Sequence, residues 1–243
     1  KNIKVVFPTG DSTITNIDAK LQQSFQYLSG NKLFINPADP AGKKPFHAEQ
    51  DVRFEPGDRG WGWAGIFFDY ENDGDEDMYL STGWLDTSFA ADQKKQMFLL
   101  DDGVFYMAPQ TSPEAFASNG RAAVAVDIDR DGDQDLVLTN FRQPPAVFLN
   151  TQAMKNHWVG LRLRGTGANT RAIGARVSVT AGAKKRIREL SAGNGYLGQM
   201  DDVVYVGLGA ETAPVVTVRW PGGATQTVTV KPDIINNVVE APK

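Results

Sequence analysis

The chain has no cysteine and only two histidines among its 243 residues. Without cysteine there is no disulfide framework, no thiol nucleophile and no thiolate metal site. His47 and His157 lie far apart in sequence and no G-x-S-x-G elbow is present, so the common nucleophilic triads and histidine-rich zinc or copper sites are excluded. No apolar run approaches the length of about 18 residues that suggests a membrane-spanning helix. The net charge of −4 is too mild to name a partner and leaves no nucleic-acid footprint. The one dense basic run, Lys184-Lys185-Arg186-Ile187-Arg188, lies in strand-like sequence and reads as an exposed edge or face. Absence of cysteine also suits an exported bacterial protein. The chain opens at Lys1 in strand-like sequence, with neither initiator methionine nor signal peptide, which reads as a trimmed N-terminus.

What is abundant is acid in two places. Asp69, Glu71, Asp73, Asp75 and Asp77 occupy alternate positions of one nine-residue run, and Asp127, Asp129, Asp131, Asp133 and Asp135 do the same in a second. Five like charges so close together need a cation. Gly74 and Gly132 stand at position 6, where a loop wrapped around a metal must turn sharply. The donors are hard oxygens in the number Ca²⁺ takes, so two calcium sites are expected. An EF-hand is excluded, because position 12 is Leu80 or Leu138 instead of a bidentate glutamate. The flanks are short apolar runs, Ile66–Phe68 and Met78–Leu80 around the first loop, Val124–Val126 and Leu136–Leu138 around the second. Strand, acidic turn, strand is the reading they support. A pair of solvated acidic turns is the bland alternative, and the repetition of both acid and glycine spacing weighs against it.

The loops recur about 58 residues apart, and each is followed by an apolar-Phe-apolar strand, Met97-Phe98-Leu99 or Val147-Phe148-Leu149. Leu33-Phe34-Ile35 marks an earlier unit that carries no acidic loop. Three repeat units are therefore traced across residues 1–155. Ile17, Leu21, Phe25 and Leu28 keep helical spacing and predict a short helix or a blade insertion. From about Asn156 the pattern changes to alternating strands separated by glycine turns, a separate β-domain spanning 156–243. Pro221-Gly222 between two of those strands predicts a type II turn.

The segments GWGWAGIFFDYENDGDEDMYL and AAVAVDIDRDGDQDLVLTN resemble the FG-GAP/VCBS repeats of calcium-binding β-propellers. The tail, through NHWVGLRLRGTGANTRAIGARVSVTAG, SAGNGYLGQMDDVVYVGLGA and VRWPGG, is similar to the ASPIC/UnbV domain of cartilage acidic protein-like families. The resemblance implies an all-β chain of propeller blades followed by an antiparallel β-domain, exported to the cell surface, the extracellular space or the periplasm. It also implies that positions 1, 3, 5 and 9 bind through side chains, with Asp75 and Asp133 offering backbone carbonyls. Three blades are fewer than the roughly 4 to 8 of closed propellers. The ring is thus expected to be completed by more of a longer protein or by another chain.

Function is expected to be non-catalytic: a calcium-binding interaction, adhesion or scaffold module with a protein or glycan partner. An enzyme or accessory factor of secondary metabolism is the alternative, because relatives of the tail domain are named from enediyne clusters, and a subunit of a larger surface assembly is a third reading. No nucleophile or base supports catalysis. The G-x-G-x-x-G string at Gly193–Gly198 leads into a strand instead of opening a helix, so no dinucleotide site is expected. Trp61, Trp63 and Trp84 crowd the first acidic loop in sequence and read as blade-core residues, with a sugar-stacking platform as the functional alternative. His157, beside Trp158 at the domain junction, reads as a packing or hydrogen-bonding residue.

Overall fold

The computed structural model describes residues 62–83, 96–101, 104–108, 119–151 and 155–242, together with the backbone of two short strands at 34–35 and 47–48. Among the described residues every regular element is a β-strand. The helix expected over Ile17–Leu28 lies outside them, as do Trp61 and Trp84. No helix of the described residues is long and apolar enough to cross a membrane.

Strands β1 (Phe34–Ile35) and β2 (His47–Ala48) form one antiparallel pair. A four-stranded meander follows, with β3 (Gly62–Phe68), β4 (Asp77–Thr82), β5 (Gln96–Asp101) and β6 (Val104–Met107) paired in sequence order. A second meander contains β7 (Gly120–Val126), β8 (Asp135–Asn140) and β9 (Gln143–Phe148). The two begin alike. In each, the first strand carries an irregularity near its start, at Gly62/Ala64 or Gly120/Ala123, and ends at an acidic loop that returns directly into the next strand.

The strands form because their sequences alternate. In β3, Ala64, Ile66 and Phe68 turn inward while Gly65 and Phe67 face out, the two-residue period of a half-buried strand. Those three join Tyr79, Met97, Ala123, Ala125, Leu136 and Leu138 in one core shared by both meanders. Phe98, at the centre of the first apolar-Phe-apolar motif, is 1% exposed.

The C-terminal part is a two-sheet sandwich. One sheet has the order β13 (Val203–Gly209), β10 (His157–Arg164), β16 (Ile235–Val239), and β10 and β16 run parallel. The other has the order β12 (Lys184–Glu189), β11 (Arg176–Ala181), β14 (Val215–Arg219), β15 (Thr225–Val228), all antiparallel. Val159, Leu161, Val177, Val179, Val204, Val206, Leu208, Val216 and Val218 fill the space between them.

The turn joining β14 to β15 departs from the type II expectation. The Gly223 amide donates to the Trp220 carbonyl at 2.9 Å, closing a turn with Pro221 and Gly222 at its centre, but positive φ falls on Gly223 (91°) and not on Gly222. The chain therefore takes a type I turn followed by a glycine bulge, a common hairpin solution in which the left-handed residue comes one position later.

Candidate metal centre

The two acidic loops have one conformation. Position 4 has positive φ in both, Asn72 at 55° and Arg130 at 66°, and the glycine at position 6 has φ 99° in both. In both, the position-5 carboxylate accepts the position-7 amide: Asp73 Oδ1 from Asp75 at 3.0 Å and Asp131 Oδ1 from Asp133 at 2.9 Å. The fully buried position-9 carboxylates are tied on both oxygens. Asp77 accepts from the amides of Tyr70 and Leu100, and Asp135 from those of Ile128 and Asn150, each at 2.8 Å. Leu100 and Asn150 each lie two residues beyond the phenylalanine of the third strand, so the recurring Phe strand supplies the amide that holds the recurring acid.

Other carboxylate oxygens are left over. Asp69 and Asp127 are 2% and 7% exposed, yet Oδ1 of each is buried without a hydrogen-bond partner, as are Glu71 Oε2 and Asp75 Oδ1. In the second loop, oxygens of Asp127, Asp129 and Asp135 lie within 4.8 Å of one another. An acceptor stripped of water and given no donor is costly unless a cation or proton takes its place. The electrostatics agree. Burial, reinforced by neighbouring acids, pushes Asp69 and Asp77 up to about 8 and Glu71 up to about 7. Asp75 rises to about 6, again chiefly from burial and then from Asp73, and burial also raises Asp127 and Asp135. These residues fit a hard divalent cation, which would favour the charged forms that burial disfavours.

The loops touch each other and the sandwich. Asn72, 1% exposed, donates from Nδ2 to the Gly132 carbonyl at 3.2 Å and to Asp133 Oδ1 at 3.1 Å. Asn150 Nδ2 donates to the Tyr70 carbonyl at 2.7 Å. From the sandwich, the Gly207 amide donates to Asp69 Oδ2 at 3.0 Å, and the Tyr205 side chain comes close enough to the second loop for burial and then the Asp127 charge to push its phenol up. Trp158 lies against Gly132.

The basic run is consequently more than an exposed edge. Although β12 is an edge strand, Arg186 is only 8% exposed and donates to the Asp73 carbonyl at 2.7 Å. Arg188 donates to the Gly74 carbonyl at 3.3 Å and pairs with Glu76 at 3.2 Å. Alternation along β12 puts both arginines on the side facing the first loop, and the loop's charge offsets the burial of a guanidinium. Strand periodicity shows that the arginines share a face; which acids they meet depends on a contact more than 100 residues away.

Trp63 lies at the start of β3, so about five residues, or roughly 17 Å, of strand separate it from the acidic loop. Its indole Nε1 donates to the Gly83 carbonyl, the Arg121 guanidinium stacks on it at 4.4 Å, and Tyr196 meets it edge-on. His157 is a hydrogen-bonding residue: Nδ1 lies 2.8 Å from Asp233 Oδ2.

Fold and site together define an all-β protein in which paired acidic loops are seated on a C-terminal two-sheet sandwich. Residues 165–238 match the family model described as ASPIC and UnbV. Cartilage acidic protein 1 of Mus musculus, Xenopus tropicalis and Homo sapiens is 34% identical over 125 residues in each case, half of this chain. The chain spans 19% of the length of these relatives.

Proposed function

We propose that this chain is a calcium-stabilised, non-catalytic binding or scaffold module that works outside the cytoplasm, and that each acidic loop holds one Ca²⁺. The observation that carries the reading is the set of buried, partnerless oxygens on Asp69, Glu71, Asp75 and Asp127 within two loops of matching backbone conformation. The hard-oxygen donor set selects calcium or a similar cation over zinc or copper. In each loop the acids at positions 1, 3, 5 and 9 would bind through side chains, and the carbonyls of Asp75 and Asp133 at position 7. The ion would fix the turn between paired strands and leave the chemistry of a partner untouched.

The two meanders are, on this reading, adjacent blades of an FG-GAP/VCBS-type propeller, with residues 156–243 as its appended β-domain. Their consecutive antiparallel order and the lateral contact of β3 with β7 support it. Exposed surface on the blades and sandwich then meets a protein or glycan partner, and the ring is completed by more of a longer protein or by another chain. The similarity to cartilage acidic protein 1 supports an extracellular setting.

Binding to the folded state alone adds stability that grows with the logarithm of free cation, about 2.7 kcal/mol at one hundred times Kd. Thermal unfolding in excess EDTA against 1 mM-scale calcium is the test. A lower melting temperature in EDTA supports the reading, and identical curves after confirmed metal removal contradict it.

A further inference from the structure

Strand β13 is buried on both faces. Val204, Val206 and Leu208 point into the sandwich core, while the alternate residues Val203, Tyr205 and Gly207 face the other way. Gly207 donates to Asp69, the position-1 acid of the first loop, whose Oδ1 stays partnerless, and Tyr205 backs Trp158, which lies against Gly132 of the second loop. One strand of the sandwich thus orients the first proposed ligand of the first site and backs the residue packed on the second loop.

The first loop is held along its backbone as well. Five successive carbonyls accept donors from beyond the meanders: Glu71 from Asn156, Asn72 from the Gly209 amide, Asp73 from Arg186, and Gly74 and Asp75 from Arg188. Such a cradle fits one loop shape. A Cβ at Gly207 would stand 2.3 Å from the Asn72 carbonyl carbon and 2.4 Å from Asp69 Oδ2, so the approach tolerates no side chain.

We propose that docking of the C-terminal sandwich and cation binding by the acidic loops are one coupled equilibrium, with Gly207, Arg186 and Arg188 as positioning residues. The cation sets the loop shape that the sandwich grips, and the docked sandwich pre-orients the acids that take the cation. Coupling is reciprocal: the factor by which docking strengthens cation binding is the factor by which bound cation strengthens docking, so losing the dock lowers affinity by up to that factor. The cradle covers the first loop more fully than the second, so the first site depends more strongly on docking. The proposal rests on the calcium reading above.

The test uses the full chain and two variants, followed by calcium titration calorimetry and by mass-spectrometric timing of tryptic cleavage after Lys155, the exposed lysine just before β10. Gly207→Ala pushes the sandwich off the first loop and is expected to lower affinity at one site by about 5- to 150-fold, the usual range of such coupling. Calcium is expected to slow cleavage after Lys155 in the unaltered chain and to protect the variant much less. Arg188→Gln adds no bulk to the seam and serves where Gly207→Ala fails to fold. If Arg188 acts by charge repulsion alone, its removal tightens calcium binding; coupling through docking predicts weaker binding. Tighter binding in Arg188→Gln, or unchanged affinity in both variants with cleavage indifferent to calcium, overturns the coupling while calcium binding itself stands. An unaltered chain that binds no calcium removes the metal reading and the coupling with it.

Discussion

Replacing Gly132 with alanine separates two demands that the acidic loop makes on one residue. At φ 99° an alanine sits in sparsely populated backbone territory, a cost of about 1–3 kcal/mol. Its Cβ would also lie 2.0 Å from Trp158 Cε2 and Nε1. Trp158 has little freedom to yield, being 7% exposed, tilted against Tyr205 at 5.8 Å and bonded through its amide to Asp233. Overpacking of this kind costs about 1–3 kcal/mol. The sum is about 2–6 kcal/mol, or roughly 5–20 °C in melting temperature for a chain of this size. Gly174→Ala is the control, because Gly174 has φ 86° with no atom within 4 Å of a built Cβ. Thermal unfolding of both variants in saturating calcium therefore isolates the contact with Trp158. Gly132→Ala is expected to be the worse by about 1–3 kcal/mol. Equal destabilisation would refute the claim that the sandwich is packed against the second loop.

Two further outcomes follow from the carboxylates. Without cation, the folded state keeps Asp69 protonated up to about pH 8 and Glu71 up to about 7, whereas the unfolded chain releases those protons near pH 4. The folded state thus binds more protons across that window, and stability in EDTA should fall as pH rises from 5 to 8. On the proposed function calcium would replace the protons, so the gap in melting temperature between calcium and EDTA should widen over the same range; a rise with pH in EDTA contradicts this. Asp135→Asn leaves a single oxygen where two buried amides, of Ile128 and Asn150, now donate. It should cost about 1–3 kcal/mol in chemical denaturation even without calcium, since one amide loses its acceptor; no loss in EDTA would show that Asp135 serves the metal alone.

Much of the fold was legible because its signals are local. The apolar runs beside each loop became β3, β4, β7 and β8, and the sandwich strands follow the alternation of their sequences. The loop geometry was legible for the same reason, since glycine at position 6 announces its positive φ. The partners of the loops were not. Asn72 and Arg130 share a backbone conformation at position 4, yet only the buried Asn72 joins one loop to the other, because its short amide fits between them. Tyr205 and Gly207 look like ordinary members of an alternating strand until β13 is laid across both acidic loops. Arg186 and Arg188 resemble solvated edge charges for the same reason. Trp63 is near the first loop in sequence only, because the extended strand β3 carries it away to the Gly83 carbonyl and the Arg121 guanidinium.

The most direct test is metal stoichiometry. Protein stripped with chelator, reloaded with calcium and freed of excess ion should carry two Ca²⁺ per chain by elemental analysis. Asp69→Asn and Asp127→Asn should each reduce that to one, and the double variant to none. Two sites lost with either single change would show that the loops bind as one unit. A stripped and reloaded chain that retains no calcium would contradict the account at its centre.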